Sequence, residues 1–503
     1  MSECRSVVDP KVTTEPILYL PAGMATPPAV VAMQSQCKVD VEHLPHKVTK
    51  MGDITVDEIK HPGLLYLPNR YVVPGGRFNE MYGWDSYFII LGLVDDNRVP
   101  LARGMVENFF FEIENYGAIL NANRTYYFTR SQPPLLSSMI RAVYGNGKDK
   151  DSKQWLAHAY EYATRDYQLW TSDPHLAGDT GLSRYYDIGE GPVPEMADDS
   201  HYYPDVIRWL IAHPDIKTDY LVDAPEEPTP EQAAKLAEIS CDIRTSKVCA
   251  LARVDGNRLS RDYYHGDRAM RESGFDTSFR FGPFSGSTHH FAPVCLNSLL
   301  YKYARDMADF AKILGRADDI KMWNSRAEAR RAAVNKYLWH ADEGLFHDYD
   351  FTTQQGSKYD FISTFYPLWS GLASKEQAAA VRKHLQVFEK AGGLATSDVE
   401  SGVQWDYPFG WAPTNWFATK GLEDYGYPAD ADRISNKFIG TVRENYQRDG
   451  TIREKYDMVT RSSTVQVTTG YSSNVIGFGW TNGVYLEMTK LLMHDKAKHA
   501  AAN

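Results

Sequence analysis

The chain has 503 residues, 43% of them hydrophobic and 13% aromatic, with a formal net charge of −11. That length allows two to four ordinary domains or one large toroidal or barrel domain. The acidic balance argues against nucleic acid or an anionic membrane as the main partner, and no apolar run approaches the roughly eighteen residues of a membrane span.

In chain order, residues 1–20 mix charge, Val and Thr without an apolar core, so no signal peptide is read there. Apolar residues at three- and four-residue spacing predict helices over 100–115, 133–144, 151–170, 203–212, 292–314, 317–339, 361–372, 375–391, 429–447 and 475–493. Residues 223–232, Asp-Ala-Pro-Glu-Glu-Pro-Thr-Pro-Glu-Gln, read as an exposed acidic connector inside an insertion. Residues 345–351 read as a short strand, and strands are otherwise scarce. The chain is expected to be mostly α with long loops, divided into an N-terminal arm (1–45), one catalytic domain (46–493) and a tail (494–503). In a helical toroid, loops at one rim converge on a central cavity, and the richest loops here fall before or between helices.

The five cysteines, Cys4, Cys37, Cys241, Cys249 and Cys295, follow neither a disulfide framework nor a zinc pattern. Cys241 and Cys249 are near enough in sequence to pair in an oxidising compartment, but free buried thiols are the expectation. Together with the missing leader this points to the cytoplasm; a periplasmic or secreted location is the alternative if a leader has been removed.

Two loops crowd aromatics, carboxylates, glycine and, in the first, an arginine: Pro74-Gly-Gly-Arg-Phe-Asn-Glu-Met-Tyr-Gly-Trp84-Asp85-Ser-Tyr87 and Gln404-Trp-Asp-Tyr-Pro-Phe-Gly-Trp-Ala-Pro413. A sugar ring lays its C–H faces on an indole and needs charged partners for its hydroxyls, so a carbohydrate-active enzyme is the leading reading. Arg77, Trp84 and Asp85 suit that role, against the alternative of a turn packed by aromatics. Arg124 to Pro134 places Arg130 and Gln132 before a double proline, where a buried arginine network is the competing explanation.

Glycosidic hydrolysis generally takes two carboxyl groups, one protonated and one ionised. Asp276 lies among Phe275, Phe279 and Phe281, whose apolar surroundings would raise a carboxyl pKa. By spacing alone the favoured reading is a helix N-cap before Thr-Ser. Glu454 lies between Arg453 and Lys455, which would keep it ionised, or else on an exposed strand whose charges face water. His289-His290 lacks a third ligand at metal spacing, and the glycine-rich pieces near 189–191 and 282–286 lack the context of a phosphate cradle.

The two loops closely resemble the signature segments of the trehalase family. Further matches follow in the expected order: Ile119 to Tyr127, Arg130-Ser-Gln-Pro-Pro134, Glu272-Ser-Gly-Phe-Asp276, Leu296 to Lys302, Glu454-Lys-Tyr-Asp457 and Gly477-Phe-Gly-Trp-Thr-Asn-Gly483. The resemblance covers about residues 71–491. It implies an all-α fold, a six-hairpin (α/α) toroid with long rim loops and a few short strands. It also implies inverting hydrolysis of α,α-trehalose to two glucose molecules without metal or organic cofactor. It makes Asp276 the general acid and Glu454 the general base. Substrate contacts fall on Arg77, Phe78, Trp84, Asp85, Asn121, Arg130, Gln132, Glu195, Gly274 and Trp405.

The chain departs from the family in two places. Val193 stands where members of the periplasmic bacterial type carry arginine. Between Asp457 and Gly477 a carboxylate-free segment replaces the glycine-rich, Glu-containing lid. The version of the motif at 120–122 and the long insertion before Asp276 look more like the fungal neutral branch. The alternatives are a hydrolase of another α-linked disaccharide and a non-catalytic sugar-binding protein.

Overall fold

The computed structural model describes residues 7–8, 15–146, 152–196, 201–241, 246–469 and 473–502. It divides into two compact units: Met1–Pro68 with Phe111–Gln132 and Tyr185–His289, and Asn69–Phe110 with Pro133–Arg184 and His290–Asn503.

The second unit is built from helical hairpins. Helices Val294–Leu314 and Ala317–Tyr337 pack on one another, turned by Gly315 in the left-handed region. Helix Ser152–Trp170 lies against the first of them and turns Trp155, Leu156, Ala159, Tyr160, Ala163, Tyr167 and Trp170 inward, the period expected of one buried helical face. A second hairpin joins Ala412–Asp424 to Pro428–Asp449, and both starts carry proline in the first turn, where a missing N–H costs no helical bond. Helix Asp85–Asp95 packs on Gly479–Ala502 at very close range: a Cβ on Gly483 would meet the Phe88 carbonyl oxygen at 2.0 Å. Burying these stripes is what holds the hairpins together, at about 25 cal/mol per Å² of apolar surface removed from water.

The first unit is richer in loops and short sheets. Strand Ile17–Leu20 runs parallel between Asp40–His43 and Leu64–Leu65, and its four residues are buried. This part of the expected N-terminal arm therefore forms interior structure. The Arg124 guanidinium, fully buried, donates to the carbonyls of Val7 (2.9 Å) and Val8 (3.4 Å), so the buried-arginine explanation holds for that residue. Helix Arg261–Ser273 starts at Ser260, whose hydroxyl accepts from the Tyr263 N–H, and ends at Gly274 in the left-handed region.

Several sequence expectations change in detail. The 375–391 helix is two short helices, Lys375–Lys383 and Leu385–Phe388, followed by strand Glu389–Lys390 paired with Gly393–Leu394. The 345–351 strand is two two-residue strands, Leu345–Phe346 and Tyr349–Asp350, in different sheets. Residues 361–372 open as a 3-10 turn before the short helix Tyr366–Trp369. The 475–493 helix starts later, at Gly479, and continues to Ala502. The acidic connector is partly ordered: Leu221–Asp223 is a strand, and Thr229 with Gln232 forms a capping box for helix Pro230–Ala237. Asp151, expected to open a helix, lies outside the described residues, as does Cys4.

The cysteine expectation is also corrected. Cys241 and Cys249 are disulfide-bonded with Cα atoms 6.0 Å apart, while Cys295 is free and buried.

Candidate active site

In the first unit, the Arg261–Ser273 helix carries a buried charged face. Asp267, Arg268, Arg271 and Glu272 are each no more than 4% exposed. Charges buried this deeply persist only when paired, and each has partners. Arg271 grips both oxygens of Asp267 (3.1 and 3.2 Å), and the Tyr203 hydroxyl donates to the same carboxylate at 2.8 Å. Arg268 binds Asp187 at 3.0 Å and the carbonyls of Glu190, Gly191 and Pro192. Glu272 accepts from the N–H groups of Ser131 (3.1 Å) and Tyr186 (2.7 Å). The helix thus anchors the two loops that bear Arg130 and Glu195.

Arg130 sits at the centre. Its guanidinium donates to Asn121 Oδ1 at 3.1 Å and to Glu195, lies 3.6 Å from Asp187, and covers the Tyr127 ring. Burial works to raise the Glu195 pKa, but the Arg130 and Arg271 charges outweigh it and hold the carboxyl below its ordinary value. Gln132 is buried next to this loop in sequence.

Asp276 follows the helix end by three residues, past Gly274. No helix starts there, so the N-cap explanation fails. Its side chain is 26% exposed, with Oδ2 4.0 Å from Arg271 Nη1. Burial pushes its pKa up to about 7, against the opposing pull of Arg271 and Arg130. The aromatic neighbours are present but differ in role. Phe275 and Phe281 are faced by the Arg280 guanidinium, and Phe279 packs on Trp209 and Phe284.

The second unit holds the other six expected residues. Gly75 and Gly76 both take positive φ, and a Cβ on them would meet the Gly477 carbonyl oxygen at 2.4 Å and Val475 Cγ1 at 2.0 Å. Only glycine lets this loop lie against residues 475–477. Arg77 lies over the Phe78 ring, both partly exposed. Trp84 immediately precedes helix Asp85–Asp95, and Asp85, 4% exposed, occupies the first turn, where the helix dipole favours a carboxylate.

Trp84 and Trp405, expected as open stacking faces, are 2% and 1% exposed. Trp405 stacks on Trp411 at 3.9 Å and 5°, and Trp480 stands edge-on to Trp84, Trp405 and Trp411. The rings close on each other instead of presenting broad faces. Asp406 of the second signature loop takes hydroxyls from Tyr359, Ser397 and Ser401 and so fixes the loop.

Glu454 is 9% exposed, which removes the solvated-strand explanation. Lys455, fully buried, donates to Glu454 Oε2 at 3.1 Å. Arg453 does not share this role: it reaches Thr451 and the Asn474 carbonyl. His289 pairs with Asp262 at 2.9 Å.

Sequence reasoning missed Arg271, Arg268, Asp187 and Asp267, and with them the whole Arg261–Ser273 helix. Its buried residues mix the ions Asp267, Arg268, Arg271 and Glu272 with Tyr263, Tyr264, Ala269 and Met270, so no clean apolar period announces it. The available signal was the unusual density of ionic residues directly before the Glu272–Asp276 motif.

A family model described as Trehalase matches residues 21–493. The chain belongs to the trehalase family. Among relatives of this trehalase-family chain, "Cytosolic neutral trehalase" of Saccharomyces cerevisiae is 35% identical over 93% of the chain and 64% of its own length. The Neurospora crassa protein of the same name is 34% identical, covering 95% and 68%. The chain thus spans about two thirds of the length of these curated relatives. The solved structure of neutral trehalase Nth1 from Saccharomyces cerevisiae superposes with a TM-score of 0.75 at 34% identity, over 96% of this chain and 88% of that one. The fold class is accordingly all-α, the (α/α) toroid, with few short strands. A mannosylglycerate hydrolase from Thermus thermophilus shares the fold at 18% identity and a TM-score of 0.53.

Proposed function

We propose that this chain is an inverting α,α-trehalase, a glycoside hydrolase that splits α,α-trehalose into two glucose molecules without metal or organic cofactor. Asp276 protonates the interglycosidic oxygen as the general acid, and Glu454 takes a proton from the attacking water as the general base. Arg77, Phe78, Asp85, Asn121, Arg130, Gln132, Glu195 and Gly274 contact the sugar, while Trp84 and Trp405 serve as packing. Residues 46–493 act as one catalytic domain.

The observation that carries the reading is the contrast between the two carboxyls. Asp276 is pushed up to about 7 by burial, as an acid that must hold its proton near neutral pH requires. Glu454 Oε2 instead accepts a hydrogen bond from the buried Lys455 ammonium at 3.1 Å. The relatives' names support trehalose as substrate and the cytoplasm as location. The Cys241–Cys249 bond is the observation on the side of an oxidising compartment.

The test is glucose release from trehalose at acidic and neutral pH by the wild type, Asp276→Asn and Glu454→Gln. Each variant should stay folded and lose at least about 10²-fold in turnover. NMR of early product should show one α- and one β-glucose per trehalose; two α-glucose molecules contradict inversion. Tight trehalose binding without glucose release would make the protein a sugar binder.

Val193 is fully buried and its N–H donates to the Tyr203 hydroxyl, so this position brings no charge to a sugar. That favours a second reading, a different α-linked disaccharide, and a panel at equal concentration separates the two.

A further inference from the structure

Residues 473–477, at the end of the carboxylate-free segment between Asp457 and Gly477, have a partner of their own in the second unit. Residues 473–477 run beside 452–455 and share several hydrogen bonds with them. The Glu454 N–H donates to the Val475 carbonyl (3.0 Å) and the Gly477 N–H to the Ile452 carbonyl (2.7 Å). The Asn474 side chain brackets the next peptide. Its Oδ1 accepts from the Lys455 N–H (3.2 Å), while its Nδ2 donates to the Lys455 carbonyl (2.8 Å) and to the Ser463 carbonyl (2.7 Å).

The Lys455 ammonium is buried, and its described partners are Glu454 Oε2 at 3.1 Å, the Ser473 carbonyl at 3.0 Å and the face of Trp411. A primary ammonium has three donors and no preferred plane, so its direction is set by where its acceptors stand. One acceptor is the carboxylate; another is the main chain adjoining Asn474.

We propose that Asn474 is a positioning residue for Glu454. By clasping both polar atoms of the Lys455 peptide it fixes strand Lys455–Asp457 at its first residue, and with it the ammonium that holds one oxygen of the Glu454 carboxylate. The ammonium engages Oε2, which leaves Oε1 as the oxygen to take the proton of the attacking water. The segment that replaces the lid thus holds the base in place from behind. This inference rests on the reading of Glu454 as the general base.

The test compares Asn474→Ala with wild type on trehalose, and again in a Glu454→Ala background supplied with azide. Azide replaces the activated water, so the rescued reaction forms β-glucosyl azide while the leaving glucose still takes its proton from the acid. Misplacing a reacting group by about 1 Å costs on the order of 10²-fold. Asn474→Ala is therefore expected to lower kcat by about 10- to 100-fold, with KM within about twofold, and to leave the azide-rescued rate unchanged.

A kcat within twofold of wild type overturns the proposal. So does an equal loss in the azide-rescued background, which would mean a general structural role. If Asn474→Ala does not fold, Asn474→Thr, whose hydroxyl both accepts and donates, is read by the same two rates. If Glu454→Ala keeps its activity or yields no β-glucosyl azide, it is the assignment of the base that fails, and the two failures are thereby told apart.

Discussion

Around Asp276 the neighbours are ions: Arg271 and Arg130 near the carboxyl, with Asp267, Asp187 and Glu195 balancing them. Around Glu454 they are main-chain amides, one ammonium and a block of indoles. The Asp276 side chain is part-exposed and Glu454 is buried, and the surroundings of the two fail differently when damaged. An ionic cluster depends on every member, because removing one charge leaves its partner unpaired in a place water does not reach. An aromatic block depends on shape, and a smaller ring loses contact area without stranding a charge.

That contrast can be broken from either side. Arg130→Met removes the hydrogen-bonded cation of buried Glu195, while Asp187 keeps Arg268, and we expect it to cost about 3–5 kcal/mol in urea unfolding. A loss below about 1 kcal/mol would show that the cluster is not interdependent. Trp405→Phe keeps an aromatic ring in the block but gives up part of the stack on Trp411. The same assay should register about 1 kcal/mol.

A smaller effect sharpens the comparison away from both sites. Burial pushes Asp166 up to about 7, opposed by the Tyr303 hydroxyl that donates to it at 2.9 Å. The folded state therefore binds its proton more tightly than the unfolded chain does. Stability falls as pH rises from about 4 to about 7 and stays lower above. In Asp166→Asn the drop in Tm between pH 5 and pH 8 should shrink by about 2 °C, read by calorimetry. An unchanged drop would assign that pH dependence to other carboxyls, such as Glu487, which burial beside Asp95 also pushes up to about 7.

The hairpins were legible where one face is apolar: 317–339 and 429–447 appear within two or three residues as Ala317–Tyr337 and Pro428–Asp449. Asp85–Asp95 escaped because its buried residues run continuously from Asp85 to Ile90, leaving no alternation to read. The Arg261–Ser273 helix is likewise buried without a break from Gly266 to Ser273, and the ions among those residues hid it further. The candidate acid and base were legible as residue types in motifs, but each kept a plain structural alternative. Deciding required burial and partners, which are tertiary: the helix that ends before Asp276, and the Lys455 ammonium turned back onto Glu454. The Trp84 and Trp405 rings show the reverse case, where composition suggested open faces and packing closed them.

The most direct measurement of the central claim is the dependence of kcat/KM for trehalose on pH from 5 to 9. Asp276 as a general acid works only while protonated, so activity should fall about tenfold per unit once pH passes about 7. Activity that holds level through pH 9 would contradict the account.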